Sequence, residues 1–594
     1  MFVMRVGKRK NGKRHVYWAL AESYRTPRGS RHRVVGWLGE LQGGAKQGWA
    51  HLAAKLNGHP PAPATPGLFA RRPREEPVPE QVEVDVRGVR VEGAKDFGNV
   101  WLGLVAWRWL GLDRLLAELL PPGREGVPWP LLGTIEVLAR LCEPASELHT
   151  AQAWYARTAL PELLGVQPEE VYPERLYRTL DVLLPCKDAV ERHLAEQFGE
   201  LFGSEREVCL YDLTSSYFEG EAAEDPLAQR GYSRDGRGDC KQVCLGLVVG
   251  ADGMPRGHEA WAGNRLDRST LPDRVEHMEA RYGPARRLWV FDRGIADEKN
   301  LAYLRRRGGA YLAGTPRPVL RRFEAELTDP AGWESLPNGV AVKLPPDRDD
   351  GDTYVLCRSP ERAAKEHAIH ERFAARIEAQ LRRLQARLAG AKTRPDRTRI
   401  ERQLGRLLQR NSRAAGKFRL RLDDDPGRPG HLRLTWTLDP AWTAWAAASE
   451  GAYLLRTTAA GRDPETLWRG YMRLTVVEDL FRILKSDLLL RPLRHQIEPR
   501  VRAHILVTYL ALVLWKTLEH LTVAAGLGNA VRTVLEEAAR IHLCEVILPT
   551  STGRELGLLC ISRPDPAQRA LFDRLGIEFP LRLGQPRWRN LIEH

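Results

Sequence analysis

The order of strands and helices between residues 205 and 316 is the feature that most restricts the fold of this chain. The segment EVCLYDLTSSYFEG is strand-like, and KQVCLGLVVGADGMPRGHEAWAG contains two further strands around an Asp-Gly turn. A helix, the short apolar strand in RRLWVFDRG, a second helix and the strand GAYLAGT follow. Three antiparallel strands followed by alternating helices and strands predict an α/β fold, in which helices cover a mixed sheet.

A long insertion interrupts this order. Residues 317–360 are β-rich, residues 365–410 form a basic helical hairpin, and KFRLRLDDD and HLRLTWTLD return to strands. The core-like strand GAYLLRTTA then leads directly into another helix. We therefore predict one α/β domain that is split by a large insertion of strands and a helical hairpin.

The rest of the chain divides by composition. The first 33 residues contain ten Lys or Arg and one acid. Their two predicted strands form either a DNA-contacting β module or an ordinary solvated basic hairpin. A Pro-rich stretch then reads as a linker, and a Leu- and Trp-rich region reads as helical. The predicted regions are a basic β module (1–57), a linker (58–96), a helical domain for DNA-end binding (97–204), the core in two parts (205–316 and 451–525), the insertion (317–450) and a C-terminal region with a dimerisation role (526–594).

The net charge of +14 favours a polyanionic partner, most commonly nucleic acid. The eight cysteines are scattered, so a zinc site or a disulfide framework is not indicated and a reducing cytoplasm is the expected compartment. The N-terminus lacks the apolar region of a signal peptide, and no P-loop is found. The most apolar run, residues 505–515, is about half the length of a membrane span, so we expect a buried helix and no membrane partner.

Two aspartates end apolar strands: Asp212 in VCLYDLT and Asp292 in LWVFDRG. In α/β sheets, functional groups gather where strand ends meet at one edge. Magnesium prefers oxygen ligands, and phosphoryl transfer is well served by two metal ions about 4 Å apart. Each aspartate alone also has an ordinary explanation, because Asp212 could cap a turn and Asp-Arg-Gly is a common turn composition. The pair is a candidate metal site only if a third ligand joins it.

The segment YMRLTVVEDLFRILK, residues 471–485, supplies the candidate third ligand. At about 100° per residue, the apolar side chains of this predicted helix face one side. The polar side chains of the opposite side share one line along the helix. Asp479 lies outside this line, so Glu478 is the better candidate ligand. An ordinary amphipathic helix with a Glu–Arg pair would show the same pattern. The side chains that share the polar line are Tyr471, Glu478, Arg482 and Lys485.

The three acids and this helix resemble insertion-sequence DDE transposases, specifically the group with a β-rich insertion before the catalytic Glu. The Glu helix of that group carries Y-x2-R-x3-E-x6-K, and Tyr471, Glu478 and Lys485 match it at the same spacing. Leu474 stands where the pattern has Arg. This departure leaves the role of the Arg unassigned, and the neighbouring cations that could replace it are Arg473 and Arg482.

The resemblance covers about residues 1–525 and implies an RNase H-like core with helices on both faces of its sheet. It implies that Asp212, Asp292 and Glu478 are catalytic and hold two Mg²⁺ (or Mn²⁺) ions per active site. The implied activity is bacterial, nucleoid-associated DNA transposition, in which double-stranded DNA is cut at terminal inverted repeats. A homodimer then joins the 3′-hydroxyls to target DNA.

Further residues are candidates for contacts to DNA. The Trp side chains of the insertion could stack on a flipped base, although core packing is the more frequent explanation of such side chains. The candidates for phosphate contacts are Tyr471, Arg482, Lys485, Arg473, Arg293, Arg491 and His495, with Arg502 and His504 as a further extension. The candidates for base stacking are Trp436, Trp442 and Trp445.

Three other functions remain open at this point. A metal-dependent nuclease without strand transfer would need the same three acids. A transposase-derived DNA-binding protein without catalysis would share the fold, but the intact Asp, Asp and Glu argue against it. A glycosidase could use Asp212 and Glu478 as an acid/base pair, but the basic charge disfavours it.

Overall fold

A computed structural model describes most of the chain. The described residues are 2–10, 13–26, 29–39, 81–120, 126–202, 208–282, 287–346, 351–459 and 461–589. The chain divides into two compact units, Met1–Glu80 and Gln81–His594, which are described separately below. Side chains are described throughout these ranges except for 200–202, 281–282 and the N-terminal strands, where only Ala21 and Arg33 are included.

The described part of the N-terminal unit is a three-stranded antiparallel sheet. Its strands are β1 (Phe2–Lys10), β2 (Lys13–Thr26) and β3 (Gly29–Gly39), in the order β1-β2-β3. β2 and β3 lie at the two strands predicted from the sequence, and β1 is an additional strand. Residues 40–57 of the predicted module, residues 58–80 of the predicted linker and most of the basic side chains lie outside the described part.

The second unit begins with a strand and a group of helices. The strand is β4 (Arg90–Asp96), which lies inside the range predicted as linker. Pro at an early helical position helps to start several of the helices, because its fixed φ suits the first turn. The helices are α1 (Gly98–Trp109), α2 (Leu112–Leu119), α3 (Trp129–Cys142), α4 (Pro173–Leu183) and α5 (Lys187–Phe202).

The central sheet starts after these helices and follows the predicted element order. Its first strand pairs antiparallel with the second and parallel with the fourth, so the sheet is mixed. The elements are β5 (Val208–Tyr217), β6 (Gln242–Val249), β7 (Pro255–Ala262), α6 (Leu271–Tyr282), β8 (Leu288–Phe291), α7 (Glu298–Arg306) and β9 (Ala310–Gly314).

The insertion contributes both to this sheet and to a separate cluster. Its helices α8, α9 and α10 are each capped by a side chain, from Ser359, Asp396 and Asp439 respectively. The elements are β10 (Glu334–Ser335), β11 (Ala341–Lys343), β12 (Thr353–Arg358), α8 (Pro360–Ala389), α9 (Arg397–Arg410), β13 (Phe418–Asp424), β14 (Leu432–Leu438), α10 (Pro440–Ser449) and, returning to the core, β15 (Ala452–Thr457).

The complete central sheet has nine strands in the order β10-β11-β12-β15-β9-β8-β5-β6-β7. The first insertion strands therefore extend the core sheet through β15, whereas the helical hairpin packs on β13 and β14 in its own cluster. Alternate side chains of β5 enter two different cores: Leu210 enters one, and Tyr211 enters the other with α6 and α7. Helices thus cover both faces, and the predicted α/β class with a large mixed sheet is confirmed.

The chain ends in helices and a second sheet. α11 (Pro464–Met472), α12 (Leu474–Arg482), α13 (Glu498–Ala524) and α14 (Val531–Ala539) are followed by β16 (His542–Pro549), β17 (Glu555–Ile561), α15 (Pro566–Leu575) and β18 (Arg582–Arg589). This second sheet has four strands in the order β18-β17-β16-β4, and β4 joins it through β16.

α13 contains the apolar run that the sequence predicted to be buried. Among the described residues it is the one helix long and apolar enough to cross a membrane. Within the protein, 94% of its most apolar 18-residue window is buried. It packs against α1, α3, α4 and β7, and so connects the helical region to the central sheet.

Candidate active site

Asp212 and Asp292 occupy neighbouring positions on two parallel strands. Tyr211 of β5 is the register partner of Phe291 of β8, so the two aspartates come next on adjacent strands, which are about 4.8 Å apart in such sheets. Asp212 lies within β5 and not at its end as predicted, because β5 continues to Tyr217. Asp292 directly follows β8. Because β8 ends at Phe291, Asp292 follows it directly and takes the position beside Asp212 of β5.

The two aspartates lie on the face of the sheet that α12 covers. Leu210 and Val290, two residues before each aspartate, share a core with Val477 and Leu480 of α12. Side chains two residues apart on a strand point to the same face, so Asp212 and Asp292 are directed towards this helix. Glu478 lies next to Val477 on α12. The fold thus directs the third acid to the same region.

The charge of Asp292 acts on both other acids. Burial, and then the charge of Asp292, raise the pKa of Glu478 above its usual range. Burial is also the main cause that raises the pKa of Asp212 to about 7, and Asp292 adds to it. Asp479 is turned away to Arg482, with 3.6 Å between carboxylate oxygen and guanidinium nitrogen. Asp292 therefore lies within electrostatic reach of both Asp212 and Glu478, whereas Asp479 is paired with Arg482. The ligand atoms of the three acids do not all lie within 4.8 Å of one another in this structure.

This group of carboxylates fits divalent cations. Within the described ranges, none of the three takes part in a salt bridge with Lys, Arg or His within 4.0 Å. The donors are oxygen atoms only, which is the ligand type that Mg²⁺ and Mn²⁺ prefer. The raised pKa values of Asp212 and Glu478 reflect burial and mutual repulsion of the acids. A bound cation would relieve that repulsion, so these residues are suited to hold metal.

We expect the metal-free protein to lose stability as the pH rises from about 4 to about 7. The folded pKa of Asp212 is about 7, above its ordinary value of 3.8, so the folded state binds the proton more tightly than the unfolded state. The resulting stabilisation is complete below the ordinary pKa and is lost as the pH passes the folded pKa. Thermal unfolding in EDTA should show that the midpoint of wild type falls as the pH rises. The slope of midpoint against pH should be smaller for Asp212→Asn.

The matched control for this measurement is Asp479→Asn, which changes an exposed acid outside the group. It should keep the wild-type slope. Adding Mn²⁺ should raise the unfolding midpoint of wild type more at pH 8 than at pH 5, because the ion competes with the proton on Asp212. Equal slopes for wild type and Asp212→Asn would contradict the assignment of the titration to Asp212.

Tyr471 and Arg293 border the central acid. The Tyr471 hydroxyl donates a hydrogen bond of 3.0 Å to Oδ1 of Asp292. Gly314 permits this approach, because a Cβ there would lie 2.6 Å from the hydroxyl oxygen. The charge of Arg293 also acts on Tyr471, although burial and Asp292 dominate and raise the pKa of its hydroxyl well above the usual range. All four residues line one cavity of about 350 Å³.

The helix predicted over residues 471–485 is interrupted, which is a correction to the sequence analysis. α11 ends at Met472, α12 starts at Leu474, and the backbone widens into a π-helical turn at Ile483–Asp487. Leu474, the departure from the family pattern, is buried in the core. Because the turns are not continuous, the single polar line predicted at 100° per residue does not form.

The cations on that segment consequently point in different directions. Arg482 is exposed and turned to Asp479 and Asp487, and Arg473 is exposed at the break between the two helices. Lys485 is buried, and its ammonium donates to Oδ1 of Asp235 over 2.8 Å. Burial lowers the pKa of Lys485, although Asp235 opposes this effect.

Asp235 is a central residue that the sequence analysis missed. Its side chain is 5% exposed, and the same Oδ1 also accepts a hydrogen bond from Arg491. Its other oxygen, Oδ2, is buried without a hydrogen-bond partner in the described part of the protein. Asp235 thus joins two predicted phosphate-binding cations. The Asp-Gly pair in YSRDGRGD indicates only a turn, so the sequence contains no signal for this contact.

Arg234 and Asp267 form a second unpredicted pair beside Asp212. They are joined by a salt bridge, and the backbone N–H of Arg234 donates to Oγ of Ser215 on β5. Arg234 lowers the pKa of Asp212 and Asp267 raises it, although burial of Asp212 dominates. Because these opposite charges nearly neutralise each other, the pair orients the loop without supplying a net charge to the acids.

The other predicted DNA-contacting residues lie elsewhere. His495 contacts Glu147, at 3.2 Å, and the edge of the Tyr177 ring. Arg502 contacts Glu498 and Glu259. The three Trp side chains are in the insertion: Trp436 packs on the hairpin cluster, Trp442 lies against His370, and Trp445 lies beneath the guanidinium of Arg321.

One family model matches more than half of the chain. The sequence model described as "Transposase DDE domain" matches residues 203–514. No curated protein sequence matches the chain. Among solved structures, it is similar to a piggyBac transposase synaptic complex with hairpin DNA, with 9% sequence identity and a TM-score of 0.36. That similarity covers 77% of this chain and 82% of the other.

Proposed function

Because the chain belongs to the family of transposases with a DDE domain, we propose that Asp212, Asp292 and Glu478 are its catalytic acids. Membership of the family makes the protein a DNA transposition enzyme and DNA its partner. The observation that supports the assignment best is the position of Asp292, whose charge acts on both other acids. We further propose that the three acids hold two Mg²⁺ or Mn²⁺ ions.

The bound ions would activate a water or a 3′-hydroxyl and stabilise charge on the scissile phosphate. The protein residues prepare the site for this chemistry. Tyr471 fixes the orientation of Asp292 through its hydrogen bond, and α12 fixes Glu478 by burying its other face.

Two sets of cations are proposed to contact DNA phosphates. Arg293 is exposed directly beside Asp292, and it forms no salt bridge with an acid in the described part of the chain, so it can reach a phosphate bidentately. Lys485 and Arg491 share Asp235, so they would have to exchange that carboxylate for a phosphate. We propose that Arg293 contacts the phosphate nearest the acids and that the Lys485–Arg491 pair contacts a neighbouring one.

Replacing Tyr471 with Phe should lower DNA-end cleavage by about 10-fold to 100-fold, the usual cost of losing a group that orients a metal ligand. The rate should recover partly at high Mn²⁺ concentration, because the loss affects the orientation of Asp292. Tyr303→Phe is the control, since its hydroxyl bonds instead to Glu276 over 3.0 Å. Cleavage rates as a function of Mn²⁺ concentration test the prediction, which an unchanged rate would contradict.

A strand-transfer assay separates a transposase from a simple nuclease. The DNA substrate would carry the short inverted repeats expected to flank the gene, cut beforehand to expose the 3′-hydroxyl, together with a supercoiled target. We expect wild type to join the labelled end to the target in Mg²⁺ and Glu478→Gln to give no product. Cleavage of intact ends without joining would favour the nuclease function, and a dimer on paired ends is the expected active form.

A further inference from the structure

A group of metal-binding side chains lies outside the three acids. It consists of Glu147 on a short helix after α3, His495 before α13 and His504 in the first turns of α13. One possible ligand atom from each residue lies within 4.8 Å of the other two. Three separate segments of the chain therefore bring two imidazoles and one carboxylate to a common point.

The distances in this group match those between ligands around one metal ion. Oε1 of Glu147 lies 3.2 Å from Nε2 of His495 and 3.9 Å from Nδ1 of His504. Bonds of about 2.0–2.2 Å to a tetrahedral ion would separate the ligand atoms by about 3.3–3.6 Å. Small rotations of the side chains are enough to reach these values. The two imidazole rings are tilted by 59°, so both can direct nitrogen atoms inward.

The burial of the group suits a bound ion. Glu147 and His504 are buried and His495 is half-buried, so an ion held there would be largely shielded from solvent.

Arg140 is a cation that would compete with a metal ion for His504. Its neighbour Glu136 offers Arg140 another partner. Its Nη2 lies 3.5 Å from Nδ1 of His504. Glu136 precedes it by one turn of α3 and is buried, with Oε1 lacking a hydrogen-bond partner among the described residues. When an ion takes the lone pair of His504, Arg140 can turn to Glu136 and satisfy that oxygen, because residues four apart on a helix are neighbours.

We propose that Glu147, His495 and His504 form a binding site for one Zn²⁺ ion. Two imidazole nitrogens and one carboxylate favour zinc over magnesium, which prefers oxygen ligands. The three protein ligands leave a fourth position for water. This site is chemically distinct from the oxygen-only group around Asp292.

The position of the site gives the ion a structural role. The segment between α12 and α13 contains His495. The same segment contains Arg491, the partner of Asp235. In that segment, Leu493 exchanges backbone hydrogen bonds with Tyr217 and Glu219 at the end of β5. A zinc ion would fasten the segment to the helical region through Glu147. It would thereby hold Arg491 in place at the edge of the candidate active site.

Zinc binding to the full-length protein tests the proposal. The protein would be stripped with EDTA, supplied with excess Mg²⁺ to occupy the oxygen-only group, and titrated with Zn²⁺ against a chromophoric chelator. We expect one zinc per chain with a dissociation constant below about 1 μM. Glu147→Gln and His495→Gln should each weaken binding by at least about tenfold. His542→Gln, which changes a part-exposed histidine outside the group, should bind as wild type does.

A second comparison identifies which site takes the ion. Glu478→Gln should retain the zinc, because it changes only the oxygen-only group. Zinc that is lost in Glu478→Gln and kept in His495→Gln would overturn the proposal. Two measurements on wild type do not depend on the folding of a variant. Zn²⁺ should raise the unfolding midpoint of wild type, and Co²⁺ should give the visible absorption of a tetrahedral site. Absence of both effects would equally overturn it.

Discussion

Replacing Glu478 with Gln should lower DNA-end cleavage by at least about 100-fold, whereas the same type of change at the next residue should have little effect. Loss of a preorganised electrostatic group in an active site typically costs about 10²–10³ in kcat. Glu478 responds to the charge of Asp292, and amide substitution keeps its size while removing its negative charge. Single-turnover cleavage of labelled DNA ends in Mg²⁺ measures the effect.

Asp479→Asn is the matched control, because it lies on the same helix and is also exposed. Its carboxylate is turned towards Arg482, so cleavage should remain within about twofold of wild type, since surface changes are usually small. Similar losses for Glu478→Gln and Asp479→Asn would point to damage of α12 and not to loss of a metal ligand. A large loss at Asp479 alone would contradict the assignment of Glu478.

Replacing Leu512 with Ala should destabilise the protein by about 2–5 kcal/mol, the range for deleting a buried Leu side chain. Leu512 is 0% exposed in the middle of α13, the helix that packs against α1, α3, α4 and β7. A cavity there would weaken the helical region and the central sheet together. Urea unfolding followed by circular dichroism, at a fixed protein concentration, gives the change in midpoint.

Val523→Ala provides the comparison for this substitution. It shortens an apolar side chain near the end of the same helix, where Val523 is 56% exposed. The expected change is below about 0.5 kcal/mol. If both variants shifted the midpoint equally, α13 would not be the shared core of the two regions. A loss of cleavage in Leu512→Ala that is restored at low temperature would separate instability from catalytic damage.

The sequence predicted the central sheet well because its signals are local. Apolar strands such as VCLYDLT and LWVFDRG are bounded by polar turns, and each is readable within a few residues. Asp212 and Asp292 were paired because both follow short apolar runs, although Asp212 lies inside β5 and only Asp292 comes after the end of its strand. Glu478 could be preferred over Asp479 because the helical period places Val477 and Leu480 in the core.

The remaining features depend on contacts between distant residues. Asp235 meets Lys485 across 250 positions of the chain, and neither residue type at its position indicates the other. The break at Arg473 was missed because Leu474 and its neighbours form helices readily, and tertiary packing decides where the turns separate. His495 was considered for DNA contact because it closely follows the Glu helix, and its contact with Glu147, 348 positions earlier, leaves no local signal in the sequence.

The pairing of β4 with β16 has a consequence for how the chain is made. Strand β4 lies near residue 90, and its partner is about 450 residues further on. At synthesis rates of about 5–20 residues per second, β4 waits roughly 20–90 s on the ribosome for a partner. The three proposed catalytic acids are all translated before β16 emerges. The second sheet therefore cannot be completed until β16 has been made, and products terminated before β16 leave β4 as an open edge accessible to chaperones and proteases.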